Sequence, residues 1–139
     1  MEMLGNVAKL FTFRSAGSPI RRNITATAKL PYIFKIEDER EFNDKVLNAR
    51  TPVIVEFFAK WCNLCKMQKP KAEQVVKEFD GKVSLAEVDI DETKEIKEKY
   101  GIKTVPVLAV YRDGNIVKIL PGMHEADEIK QFIRLQLGE

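Results

Sequence analysis

Two cysteines three positions apart, Cys62 and Cys65, are the residues of this chain best suited to covalent chemistry. They follow the apolar run Val53-Ile54-Val55 and precede a helical pattern, which puts the pair where a strand turns into a helix. At such a turn the first sulfur lies near backbone N–H groups that have no partner within the helix, and near the positive end of the helix dipole. Both favour the thiolate of Cys62, the species that attacks disulfides. Cys65, one helical turn later, is close enough to resolve the mixed disulfide that follows. The chemistry implied is two-electron thiol–disulfide exchange.

A passive disulfide and half of a zinc site are the other uses of such a pair. A structural zinc site needs four ligands, and the chain holds two cysteines and one histidine, His124. No metal is therefore expected. A staple between residues three apart closes too small a loop to stabilise much. Glu56 is the second residue of chemical interest, because it interrupts an otherwise apolar run. A strand-end carboxylate in water is one reading; a buried acid beneath the cysteines fits its place between Val55 and Phe57 better. His124 reads as a surface residue without a role.

The elements that must position these groups follow from patterning. Tyr32 to Ile36 predicts a first strand, and Glu37 and Asp38 open a short helix to about Leu47 with Phe42, Val46 and Leu47 on its buried stripe. Val53 to Ala59 is apolar on both faces, as a central strand covered by helices on both sides should be. The helix after Cys62 reaches about Phe79 with Pro70 inside it, where proline removes one intrahelical bond and bends the helix. Val83 to Asp89 is the next strand, and the charge-rich stretch from Asp91 to Tyr100 is a short helix with a solvated face. Pro106 opens the strand Val107–Tyr111, where a missing ladder donor is tolerated, and a cis bond before it fits that position. Arg112-Asp113-Gly114-Asn115 joins that strand to Ile116–Leu120 as a hairpin. A closing helix over Asp127 to Leu137 buries Ile129, Phe132, Ile133 and Leu137. The sum is an α/β sandwich with a mixed central sheet.

With 139 residues the chain holds one domain plus an extension. Residues 1–36 carry six Lys/Arg and one acid, whereas the remainder carries seventeen Lys/Arg and twenty acids. The basic excess is thus N-terminal, and the interspersed signs beyond it exclude a nucleic-acid surface. Residues 1–30 are acid-poor after Glu2, contain Arg, Ser and Thr, and begin amphipathically, as a mitochondrial transit peptide does. A disordered basic extension is the plainer reading of that segment. Lys9 breaks the only early apolar stretch, which leaves no secretory core. No apolar run approaches the ~18–20 residues that span a bilayer, so no membrane insertion is expected. The domain proper is taken as residues 31–139.

The chain resembles the thioredoxin family, and within it the mitochondrial thioredoxins. The resemblance rests on Val55-Glu56-Phe57-Phe58-Ala59-Lys60-Trp61-Cys62-Asn63-Leu64-Cys65-Lys66, Val88-Asp89-Ile90-Asp91, Tyr100-Gly101-Ile102-Lys103-Thr104-Val105-Pro106, Asp113-Gly114 and Gly122, in family order from about residue 32 onward. It implies a thioredoxin fold, a three-layer α/β/α sandwich. Cys62 would then be the attacking thiol and Cys65 the buried resolving thiol, with Trp61 flanking the rim. Pro106 would be a cis-proline facing the disulfide, and Val105 would offer backbone groups to an extended substrate strand. Gly122 would leave room for that substrate, and Asn63 and Leu64 would border it. The resemblance also implies a monomer that binds no cofactor. A thioredoxin reductase carrying NADPH and FAD would re-reduce it, and peroxiredoxins and other disulfide proteins would receive its electrons, in the mitochondrial matrix.

Two positions depart from the family pattern. Asn63-Leu64 stands where Gly-Pro is usual, and leucine frees a φ that proline presets. A less reducing dithiol is expected, with Asn63 compensating in part through its amide or as the helix cap. Glutamates stand at Glu56 and Glu87 where the family has aspartate and lysine. Either both point inward and one is neutral at pH 7, or Glu87 turns out to a lysine. Glu56 is the candidate proton-transfer group for Cys65. An oxidase, isomerase or glutathione-coupled variant, and a client-binding module without turnover, are the competing functions.

Overall fold

The computed structural model describes residues 32–139. The transit-peptide reading of residues 1–30, and with it the boundary before residue 31, lies outside the described residues.

The first strand, β1, is Ile33–Ile36. Asp38 caps the next helix, accepting from the Glu41 N–H at 2.8 Å, so the acids that predicted a helix start do begin it. Helix α1 is Glu39–Phe42, and the same rod continues as a π-helical turn over Asn43–Leu47, with the Asn48 N–H bonded five residues back to the Asn43 carbonyl. Phe42 and Val46 are buried as expected, while Leu47 is half-buried. Strand β2, Val53–Phe58, is followed by α2, Asn63–Glu78, which runs through Pro70 uninterrupted. Strand β3, Ser84–Asp89, leads to the short α3, Lys94–Lys99. Strands β4, Val107–Arg112, and β5, Asn115–Pro121, form the hairpin, and α4, Ala126–Leu137, closes the chain.

The turn between β4 and β5 has Asp113 at φ 53° and Gly114 at φ 83°. Two consecutive positive φ values match the right-handed twist of a two-residue hairpin, and Asp-Gly is the pair that tolerates them.

The five strands lie in the order β1-β3-β2-β4-β5. β1, β3 and β2 are parallel, β4 runs antiparallel to β2, and β5 antiparallel to β4. Side chains alternate across β2. Val53, Val55 and Phe57 join Phe42 of α1, Val46 of the π-helical turn and Ile96 of α3 in one apolar core. Ile54 joins Ala72, Val75 and Val76 of α2 and Ile129, Phe132 and Ile133 of α4 in the other. The fold is therefore the three-layer sandwich expected, and each face of the central strand is sealed by two helices. Among the described residues no helix is long and apolar enough to cross a membrane.

This layering decides what lies under the end of β2. Glu56 shares the Ile54 face, in register with Glu87 on β3 and Leu108 on β4. Its carboxyl is thereby driven under α2.

Candidate active site

The central strand ends at Phe58, and the chain turns through Ala59, Lys60 and Trp61 into α2. Cys62 keeps an extended backbone, φ −92° and ψ 109°, and occupies the N-cap of that helix. Its Sγ accepts from the Cys65 N–H at 3.1 Å, so sulfur does here what a serine or aspartate oxygen does at other helix starts. The cap is thus the cysteine itself, and Asn63, expected as a possible cap, is the exposed first residue of the helix. A thiolate at this cap gains the N–H bond and the helix dipole together.

Cys62 and Cys65 are disulfide-bonded, with Cα atoms 5.3 Å apart. Both are buried, at 7% and 3% exposure. Cys62 Sγ lies 3.9 Å from the carbonyl oxygen of Val105. The Val105–Pro106 bond is cis, and the Pro106 carbonyl accepts from the Gly122 N–H at 2.9 Å. Gly122 has φ 87°, a conformation that side-chain-bearing residues rarely adopt. Around the disulfide, Trp61 is 68% exposed, Leu64 49% and Met67 51%. The Trp61 indole N–H donates to Asp91 Oδ2 at 2.9 Å.

Beneath the disulfide is a cavity of about 270 Å³ with Cys65, Glu56, Lys69 and Glu87 among its walls. Glu56 is 1% exposed. Burial pushes its carboxyl up to about 7, the Gln68 amide pulls it down, and the charge of Glu87 adds to the rise. Glu87 is buried as well, yet its Oε2 lies 2.8 Å from Lys69 Nζ. The two readings of Glu87 are therefore both realised in part: it points under the cysteines and it pairs with a lysine. Its own carboxyl is raised, by burial and by the neighbouring Glu73, against the pull of Lys69. Lys69 Nζ also reaches Glu73 Oε2 at 2.5 Å, so one cation serves two acids. Among the described residues no group of three or more His, Cys, Asp or Glu is placed to hold a metal ion.

The structure thus brings Cys62, Cys65 and Val105 together on one side of the disulfide, and Glu56 and Glu87 on the other. Trp61 and Leu64 stand at the rim. Sequence reasoning missed Gln68 and Lys69. Gln68 is wholly buried: its amide donates to Glu56 Oε2 at 3.5 Å and accepts from the His124 N–H at 2.7 Å. The signal was available in the spacing, since Gln68 falls on the stripe of Cys65, Ala72, Val75 and Val76.

The thioredoxin family model matches residues 33–135. The mitochondrial thioredoxin of Bos taurus is 35% identical over 117 residues, covering 84% of this chain and 70% of that protein. The thioredoxin of Rickettsia bellii is 33% identical over 95 residues, covering 68% of this chain and 90% of that one. Among solved structures, a mutant thioredoxin from Halobacterium salinarum NRC-1 superposes with a TM-score of 0.67 at 26% identity, covering 74% of this chain and 88% of that one.

Proposed function

The chain belongs to the thioredoxin family of protein-disulfide oxidoreductases, and from that premise we propose how its own residues carry out the exchange. In the reduced protein the Cys62 thiolate attacks one sulfur of a client disulfide. A Cys62–client bond forms, and the client's other sulfur leaves as a thiolate that takes up a proton. Cys65 then gives its proton to Glu56 and attacks Cys62 Sγ. The Cys62–client bond breaks, the second client thiolate departs, and the Cys62–Cys65 disulfide remains, two electrons having passed to the client. A carboxyl raised to about 7 is matched to a proton transfer near neutral pH.

The client binds as an extended segment against Val105 and Pro106, bordered by Trp61, Asn63, Leu64 and Gly122. Support for this groove comes from the Val105 carbonyl beside Cys62 Sγ and the exposed Trp61 and Leu64. Re-reduction falls to a thioredoxin reductase whose NADPH and FAD supply the electrons; peroxiredoxins and other disulfide proteins are the acceptors. Residues 1–30 act as a transit peptide to the matrix, the domain begins at residue 31, and the protein works as a monomer. The composition of the N-terminal segment and the likeness to the bovine mitochondrial protein support that placement.

One observation carries the proposal: the disulfide sits at the α2 N-cap with the Cys65 N–H on Cys62 Sγ. The test is NADPH-dependent reduction of insulin disulfides by the full chain with a thioredoxin reductase, alongside the Cys62/Cys65 potential in glutathione buffers. Turnover that is lost in Cys62→Ser, with a potential less negative than the roughly −270 mV of a Gly-Pro thioredoxin but still below about −200 mV, is the expected result. A potential near about −200 mV without reductase turnover moves the protein to the glutathione-coupled or isomerase class.

A further inference from the structure

We infer that Gln68 is a positioning residue for the exchange: its buried amide bridges the loop behind the client groove to the Glu56 carboxyl and keeps a donor aimed at it. This rests on the proton-transfer reading of Glu56. The geometry leaves the amide no choice of orientation. The backbone N–H of His124 can only donate, so the Gln68 atom 2.7 Å from it must be the oxygen. The amino end then faces Glu56 Oε2. At 3.5 Å this contact is long for an N–H···O bond. When Glu56 ionises, the same N–H gains a charged acceptor, and such bonds are shorter and stronger. Gln68 therefore favours the ionised form, the one able to take a proton from Cys65.

The other end of the bridge is fixed just as firmly. The His124 ring Nε2 lies 2.9 Å from the Pro121 carbonyl, and Gly122 in the same loop bonds Pro106. The groove and the proton-transfer group thus share one side chain. The remaining ionisable groups around Glu56 come from three places: Glu87 on β3, Lys66, Lys69 and Glu73 on α2, and Lys60 in the turn before α2. None of them donates to Glu56 directly among the bonds observed; Lys69 is taken up by Glu73 and Glu87. Leu108 flanks Glu56 on β4 and is apolar. Gln68 is accordingly the direct donor to this carboxyl.

The test follows Cys65 attack alone. The reduced full-length chain is mixed with a dithionitrobenzoate reagent, which caps Cys62, and the release of the second thionitrobenzoate is timed from pH 5 to pH 9. An inflection lost in Glu56→Gln belongs to Glu56. Gln68→Met, similar in shape but with no donor, moves that inflection up by about one pH unit, a tenfold change in proton affinity. In the Glu56→Gln background the same change leaves the pH profile unaltered. An inflection that stays in place in Gln68→Met, while Glu56→Gln still removes it, overturns the role of Gln68 and spares that of Glu56. A profile unchanged by Glu56→Gln overturns both. If Gln68→Met fails to fold, the side-chain amide resonances of Gln68 decide the matter in the unaltered protein. They move with the Glu56 midpoint if the bridge works, and stay fixed from pH 5 to pH 9 if it does not.

Discussion

Glu56 carries a cost that depends on pH. In the folded chain its carboxyl is raised from the ordinary 4.5 to about 7, mainly by burial. Between those values the folded protein holds a proton that the unfolded chain has released, so stability falls as pH rises through this window. The penalty is absent well below 4.5 and complete above 7. Glu56→Gln removes the titration. Guanidinium unfolding of the oxidised protein is expected to show wild type losing roughly 2 to 3 kcal/mol from this group between pH 5 and pH 8, and the variant losing none of it. A variant as pH-sensitive as wild type would mean that Glu56 is not titrating in the folded state. Glu56 itself was legible in the sequence as a carboxyl amid valines and phenylalanines. The Lys69 pairing was not, because Lys69 lies eighteen residues from Glu87 and only the packing of α2 on β3 brings them to 2.8 Å.

At the scale of the element, α2 sets the poise of the dithiol. Its first turn is Asn63, Leu64 and Cys65, and its cap is the Cys62 sulfur. Leu64 is half exposed, so its side chain adds little packing there. Leu64→Pro presets φ in a turn that tolerates proline, and holds the N–H groups aimed at the thiolate with less freedom to lose. The reduced form gains most, since only there is the sulfur charged. The potential is expected to become more negative by on the order of 30 mV, about 1.4 kcal/mol. Equilibration of both forms in glutathione buffers checks it, and an unchanged potential would show that this turn is already rigid. The start and the length of α2 could be read from periodicity, whereas the identity of its cap could not, because a cysteine is an uncommon N-cap and the fit depends on the backbone of residue 62.

At the scale of the molecule, the described residues 32–139 supply two apolar cores and the residues of the site. On the proposed division, deleting residues 1–30 leaves the denaturation midpoint and insulin reduction within about twofold of the full chain, while a reporter fused to residues 1–30 enters mitochondria. A large loss of stability on deletion would place that segment in the fold. The sequence by itself determined the order of strands and helices, the two-faced burial of β2, the hairpin at Asp113-Gly114 and the chemistry of Cys62 and Cys65. Those are local: they follow from side-chain periodicity, turn residues and spacing within one element. Tertiary structure alone decided that Glu87 both nears Glu56 and pairs with Lys69, that Val105 lies beside Cys62, and that Gln68 joins His124 to Glu56. Each of these joins elements distant in the chain, and register and layer packing, which no single segment encodes, set their distances.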